Sequence, residues 1–232
     1  VVAIGGGVVG DLAGFAASAY MRGIDFYNIP TTLLAAVDSS VGGKTAVDVC
    51  GIKNLVGAFY QPCEVLVNPA FLNTLPAREI KCGLGEMVKY AALCGEIFDV
   101  LSSDIYRLGN LSYLTGFIAD CIRYKAKVVG EDEKETGIRR CLNLGHTTGH
   151  AIESACGLSH GECVLYGLYL ETKVAIEKGV CEKDYGEKLL NLVCGSLAVE
   201  PRSTLFHHVL EEGLEKALLD KKNRDDGRVA LA

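Results

Sequence analysis

Three of the five histidines in this 232-residue chain fall between Asn143 and Glu162. His146 and His150 are separated by four positions, so on a helix they share one side and could converge on one small ligand. The H-E-x-x-H zinc signature is absent, because Thr147 stands where its glutamate belongs. The spacing alone is therefore a weak metal signal, and one capping with one packed histidine explains it better. His160 precedes Gly161-Glu162 at the expected start of the next helix, and two antiparallel helices joined by a short loop would return it towards His146. A zinc site that does chemistry draws three ligands from His, Asp, Glu and Cys and keeps one position open. Glu86, in Gly83-Leu-Gly-Glu-Met-Val-Lys-Tyr90, is the candidate third partner. Glu86 and Lys89 lie at i and i+3 inside an otherwise apolar helical stretch, which suits either a structural ion pair or the polar wall of an active site.

A second group of residues speaks to phosphate. Ile4-Gly-Gly-Gly-Val-Val-Gly-Asp11 satisfies G-x-G-x-x-G at Gly5, Gly7 and Gly10, after an apolar strand and before a helix. Glycines there let the backbone approach a pyrophosphate, and the helix N-terminus supplies amide donors. The same turn also occurs for packing alone, and Asp25 is a poor ribose-binding acid because it leads directly into the next strand. Val37 to Thr45 ends like a P-loop, but Asp38 occupies the position of its first glycine, and a carboxylate disfavours a phosphate cradle. Lys44 remains as a point charge for an anion. Lys53 and Asn54 add a cation and an amide in an expected turn. Each lysine taken singly is better explained as a solvated side chain.

The elements that must position these groups change character along the chain. Short β-rich runs at residues 1–4, 26–29 and 65–67, glycine-rich turns and a helical stretch at 11–20 predict an α/β part with a mostly parallel sheet. From Thr74 the apolar period becomes helical, with Ile80, Leu84, Met87, Val88 and Ala91 on one face and further helices expected at 113–129, 147–155, 162–178 and 185–193. The predicted organisation is an α/β domain over residues 1–73 and an all-helical domain over 74–232.

Composition narrows the function classes. With 49% hydrophobic residues the chain can bury a sizeable core. No uncharged apolar run reaches the roughly 18 residues of a membrane-spanning helix. A net charge of -6 argues against nucleic acid as partner, although local lysines can still hold an anionic small molecule. The ten cysteines include no Cys-x-x-Cys pair, which argues against a zinc ribbon or a thioredoxin-like motif and predicts reduced thiols in a cytoplasmic protein. The opening on Val-Val-Ala-Ile without methionine, and the close on Val-Ala-Leu-Ala, predict a fragment of something longer.

GGGVVGDLAGF, MRG, IPTTLLAAVDSSVGGKT, KNLVGAFYQP, NTLPAREIKCGLGEMVKY, RYKAKVV, LNLGHTTGHAIE and HGE, in this order, resemble the 3-dehydroquinate synthase family of the sugar-phosphate cyclases. The resemblance runs from residue 1 to about 176 and resumes at Asp220-Lys-Lys-Asn223. It implies a Rossmann-like α/β domain followed by a helical domain, with NAD and a divalent metal, zinc or cobalt, in the cleft between them. It places the metal ligands at Glu86, His146 and His160. His150 then takes a substrate-binding and proton-relay role.

The implied reaction converts 3-deoxy-D-arabino-heptulosonate 7-phosphate to 3-dehydroquinate and phosphate. A ring hydroxyl is oxidised by NAD, phosphate is eliminated from the acidified neighbour, the ketone is reduced again, and the opened ring closes as a carbocycle. By the resemblance, Lys44, Asn54, Arg139, Asn143 and Lys221 bind the anionic and hydroxyl groups of this phosphorylated sugar acid, and Lys89 and Lys125 lie near it. Arg22 reaches the phosphate site of a neighbouring subunit, which implies a homodimer. Gly6, Gly7, Asp11, Thr31, Thr32, Asp38, Ser39, Lys44 and Lys53 line the NAD site, and Asp38 also serves the substrate. The rivals are another sugar-phosphate cyclase, a metal-dependent polyol dehydrogenase that would release NADH, and a non-catalytic relic. Ser40 to Thr45 and the Arg139, Asn143 pair favour the substrate with a carboxylate.

Overall fold

Apolar β-formers at the start of the chain build strand β1 (Val2–Gly5), and the glycines that follow turn the backbone directly into helix α1 (Gly7–Ala19). Strand β2 (Tyr27–Pro30) runs parallel to β1, and the short β5 (Glu64–Val65) runs parallel to β2, giving the sheet order β1-β2-β5. The computed structural model describes residues 1–198, 203 and 206–212. Within them the chain forms two compact units, the first comprising Val1–Gly83 with Leu114–Arg139 and the second Leu84–Tyr113 with Arg140 onwards.

In the first unit Ala3, Ala17 and Phe26 form a small buried cluster closed by Ala13, Ile24 and Tyr60. A second, two-stranded sheet pairs β3 (Lys44–Val49) with β4 (Ile52–Phe59) in antiparallel fashion. Its turn is Cys50-Gly51, both with positive φ, the geometry that matches the twist of paired strands. A register irregularity between Val47 and Val49 is accompanied by Asn54 at φ 51, whose amide donates to Asp48 Oδ1 at 2.8 Å. Lys53 and Asn54 therefore sit on a strand, not in the turn expected for them; the turn takes only two residues. Lys44 likewise opens a strand where a P-loop would open a helix.

The unit is completed by α5 (Ile118–Glu131). Residues 114–139 thus belong to the strand-bearing unit, although the change of period assigns them to the helical part. The helix expected at 113–129 is two, α4 (Leu111–Thr115) and α5, separated at Gly116-Phe117.

The second unit contains α2 (Ala77–Leu93) from Leu84 onwards, with α3 (Gly95–Ser103), α6 (His146–Cys156), α7 (His160–Glu177) and α8 (Lys183–Leu197). Apolar side chains at helical spacing are fully buried, among them Met87, Val88, Leu101, Ile152, Leu165 and Leu192. The α6–α7 hairpin turns at Gly157, which adopts the left-handed conformation that commonly ends a helix. Ser159 and Glu162 then start α7, with the Glu162 carboxylate accepting from the Ser159 amide at 3.1 Å and its hydroxyl at 2.6 Å. The Rossmann-like α/β part followed by a helical part is the architecture observed. No helix among the described residues is long and apolar enough to cross a membrane, and all ten cysteines are free thiols.

Candidate active site

Glu86, His146 and His160 come together in the second unit. His146 Nε2 lies 3.3 Å and His160 Nε2 3.1 Å from the same atom, Glu86 Oε1. Each ring is held at its other nitrogen as well: His146 Nδ1 is 3.2 Å from the Leu144 carbonyl oxygen, and His160 Nδ1 is 3.5 Å from Glu153 Oε2. An outer acceptor at Nδ1 fixes the ring and leaves the Nε2 lone pair facing inward, as metal-binding histidines require. The donors of Glu86, His146 and His160 lie close enough to share one ion.

The electrostatics suit a cation at this point. Burial opposes ionisation of Glu86, but Lys89, His146 and hydrogen bonds from both imidazoles outweigh it and hold the carboxyl well below the usual carboxylate range. Burial likewise opposes protonation of His160, yet its bonds to Glu153 and Glu86 raise it to about 9. Glu86 Oε2 is buried and forms an ion pair with Lys89 Nζ at 2.5 Å. Nitrogen and carboxylate donors in this number fit zinc or a similar first-row ion.

Close helix packing sets the distances. A Cβ on Gly85, the neighbour of Glu86, would overlap the carbonyl of Gly161, the neighbour of His160, and a Cβ on Gly167 would overlap the carbonyl of Gly145, the neighbour of His146. Glycine at these points lets α2, α6 and α7 approach backbone to backbone.

His150 is exposed one turn along α6, its ring centroid 5.4 Å from that of His146 and 5.9 Å from that of His160. With Glu153 and His160 it forms a second, overlapping set of donors close enough for an ion. Glu153 escaped the sequence reading, although its place three residues after His150 on one helix face signals it. Lys89 is buried beside Glu86, and its ammonium lies 4.7 Å from the Tyr90 ring centroid. Asn143 ends the 3₁₀ turn before α6.

The other predicted residues belong to the first unit. Gly6 caps α1, and a Cβ there would stand 3.0 Å from Thr32 Cγ2, while one on Gly7 would stand 3.1 Å from Ser39 Oγ. Thr32, Ser39 and the two glycines thus line one turn at a helix N-terminus, whose first amides have no intrahelical acceptor. This backbone cradle fits the phosphates of a dinucleotide. Gly10 has the packing role of the third glycine, since a Cβ there would lie 2.9 Å from Asn28 Nδ2.

Lys125 is buried, with Nζ 2.6 Å from the Asp38 carbonyl oxygen and 3.1 Å from Asp38 Oδ1. Burial raises Asp11 to about 6; Lys125 lowers it and Asp38 and Asp48 add to the rise. Lys44 pairs with Glu135. Arg139 is buried and donates to the Glu133 and Gly42 carbonyl oxygens, the latter at 2.9 Å. Arg22 is exposed and follows Met21, both with positive φ. Thr31 is half-buried at the end of β2, and Lys53 and Asn54 are exposed on β4. Lys221 lies outside the described residues.

The sequence pattern of the 3-dehydroquinate synthase N-terminal domain matches residues 1–82, and that of the 3-dehydroquinate synthase C-terminal domain matches residues 83–223. The chain belongs to the 3-dehydroquinate synthase family. The family's 3-dehydroquinate synthase from Alkaliphilus metalliredigens is 44% identical over 230 residues, covering 97% of this chain and 64% of that protein. The one from Pelobacter propionicus is 45% identical over 234 residues, covering 97% and 63%. The chain therefore spans less than two thirds of the length of these relatives.

Among solved structures, 2-epi-5-epi-valiolone synthase from Streptomyces hygroscopicus with NAD+ and Zn2+ bound is similar at a TM-score of 0.76 and 29% identity, covering 94% of this chain and 63% of that one. A 2-deoxy-scyllo-inosose synthase complexed with carbaglucose-6-phosphate, NAD+ and Co2+ is similar at 0.74 and 31%, covering 96% and 63%. A probable glycerol dehydrogenase from Sinorhizobium meliloti, at 14% identity and a TM-score of 0.54 over 100% of this chain and 72% of that one, shares the fold alone.

Proposed function

We propose that the protein acts as a 3-dehydroquinate synthase, converting 3-deoxy-D-arabino-heptulosonate 7-phosphate to 3-dehydroquinate and inorganic phosphate. The observation that carries this reading is the convergence of both imidazole Nε2 atoms on Glu86 Oε1 in a member of this family. When bound, NAD supplies a reversible hydride acceptor, and zinc or cobalt supplies a Lewis acid for neighbouring substrate hydroxyls.

The chain's own residues bind, orient and move protons around that chemistry. Glu86, His146 and His160 hold the ion, with Lys89 offsetting the carboxylate's charge. His150, exposed and one turn from His146, is placed to pass a proton between bound substrate and solvent. Gly6, Gly7, Thr31, Thr32 and Ser39 seat the dinucleotide, with Asp11, Asp38, Lys44 and Lys53 as its polar neighbours. Lys44, Asn54, Asn143, Lys125 and Lys221 meet the carboxylate, phosphate and hydroxyls of the substrate. Arg139 joins them only if its donors exchange the Gly42 and Glu133 carbonyls for an anion. Arg22, on a strained exposed turn, serves the phosphate site of a second copy in a cytoplasmic homodimer.

The test is phosphate release and absorbance of reduced nicotinamide in one reaction of the intact protein with substrate, NAD and zinc. Phosphate without net NADH is the expected result. Stoichiometric NADH accumulation would assign a dehydrogenase instead.

A further inference from the structure

A carboxylate with no place in the mechanism above lies beneath the metal-binding helix. Glu171, on α7, is only 5% exposed amid the apolar residues of that helix. Its Oε2 accepts the Gly145 amide at 2.6 Å, and Thr148 Oγ1 is 3.4 Å from Oε1. Gly145 is the N-cap of α6, and His146 is the first residue of that helix.

The position needs outside help. An N-cap residue ordinarily uses its own side-chain oxygen to satisfy amides of the first turn. Gly145 has no side chain, and it cannot gain one: φ is +77°, and a Cβ would stand 2.8 Å from the Val164 carbonyl oxygen and 2.8 Å from Leu168 Cγ. The close approach of α6 and α7 thus removes the local cap. A buried acid three turns along α7 from His160 supplies an acceptor from across the hairpin, its Oε2 taking the N-cap amide as a capping-box acid does locally.

We infer that Glu171 is a positioning residue for the metal centre, capping α6 from α7 so that His146 keeps its place against Glu86. The inference rests on the reading of Glu86, His146 and His160 as a metal site. Glu171 bonds to Gly145 and Thr148, not to any of the three, so it acts through the backbone that carries His146. Burial raises its pKa, opposed by bonds from Gly145 and Thr148, which is consistent with an acid kept inside for what it accepts.

The test compares Glu171→Met, which keeps volume but accepts no hydrogen bond from the backbone, with Glu171→Gln, which retains an acceptor oxygen. Zinc affinity of the intact protein is read by chelator competition, and the site geometry by the visible spectrum of the cobalt-loaded protein. Glu171→Met is expected to weaken zinc binding about 10–100-fold and to change the cobalt spectrum, with Glu171→Gln restoring most of the affinity. Unchanged affinity and spectrum in Glu171→Met would overturn the inference while leaving the metal site intact. Equal losses in both variants would also overturn it, because charge and not acceptance would then matter. If Glu171→Met does not fold, Thr148→Val decides by the same two readouts, a smaller loss supporting the cap and none opposing it. Failure of the unaltered protein to bind zinc would remove the metal site and this inference together.

Discussion

Gly85 and Gly161 meet backbone to backbone: a Cβ on Gly85 would overlap the Gly161 carbonyl oxygen and lie 2.6 Å from Gly161 Cα. Each glycine adjoins a donor of the proposed metal site, Glu86 on one side and His160 on the other. The separation of α2 and α7 that permits the glycine contact is the separation that lets the donors meet, so Gly85→Ala should act on stability and on the site together. The expected cost is about 1–3 kcal/mol from overpacking, with loss of tight zinc. Thermal unfolding and zinc content of the purified variant check this, and a variant with unaltered zinc content would show that the helices can part without disturbing the donors.

Glu153 touches His160 at the nitrogen away from Glu86. Removing it in Glu153→Ala takes the outer acceptor from the ring, and zinc affinity should fall about 10–100-fold with little change in fold. Competition with a chromophoric chelator measures it. No change would mean that His160 is oriented by packing alone.

Arg139 gives a contrasting expectation. Its guanidinium is buried on two carbonyl oxygens, and Arg139→Ala would leave both without that donor. Each unsatisfied buried acceptor costs about 1–3 kcal/mol, so denaturant unfolding should report a loss of several kcal/mol. A stable variant whose only defect is a raised KM for the substrate would instead support the anion-binding role.

The pH dependence of stability should carry a mark of Asp11. Its folded pKa, about 6, exceeds the ordinary 3.8, so the folded state binds the proton more tightly. The stabilisation from that proton is fully present below 3.8 and is lost as pH rises through about 6. Asp11→Asn should therefore be more stable than the unaltered protein at neutral pH, with the advantage vanishing below about pH 4. Melting temperatures across that range test the sign; a variant less stable at neutral pH would contradict it.

What the sequence discloses follows the range of the interactions. The His146–His160 contact is legible because a hairpin of two amphipathic helices with a three-residue loop is a local arrangement. Glu86 stands out in the sequence as an acid paired with Lys89 in an apolar helix, and so as a candidate third ligand, but no period connects α2 to α6, and only the family resemblance assigns it to the two histidines. The β3–β4 hairpin hides because its bulge breaks the alternation at Val47–Val49 and a two-residue turn at Cys50-Gly51 leaves little trace. The return of α5 to the strand-bearing unit is likewise a tertiary choice. Glu171 is visible as an acid among the apolar residues of α7, yet its role depends on the glycine opposite, which is apparent only once α6 and α7 are packed.

His160 belongs to both donor sets, one with Glu86 and His146, the other with His150 and Glu153, so its removal cannot tell them apart. Zinc stoichiometry of His146→Ala against His150→Ala can. The expected result is about one zinc per chain in the unaltered protein and in His150→Ala, with none retained in His146→Ala. Zinc kept by His146→Ala and lost by His150→Ala would move the ion to the outer set and contradict the assignment.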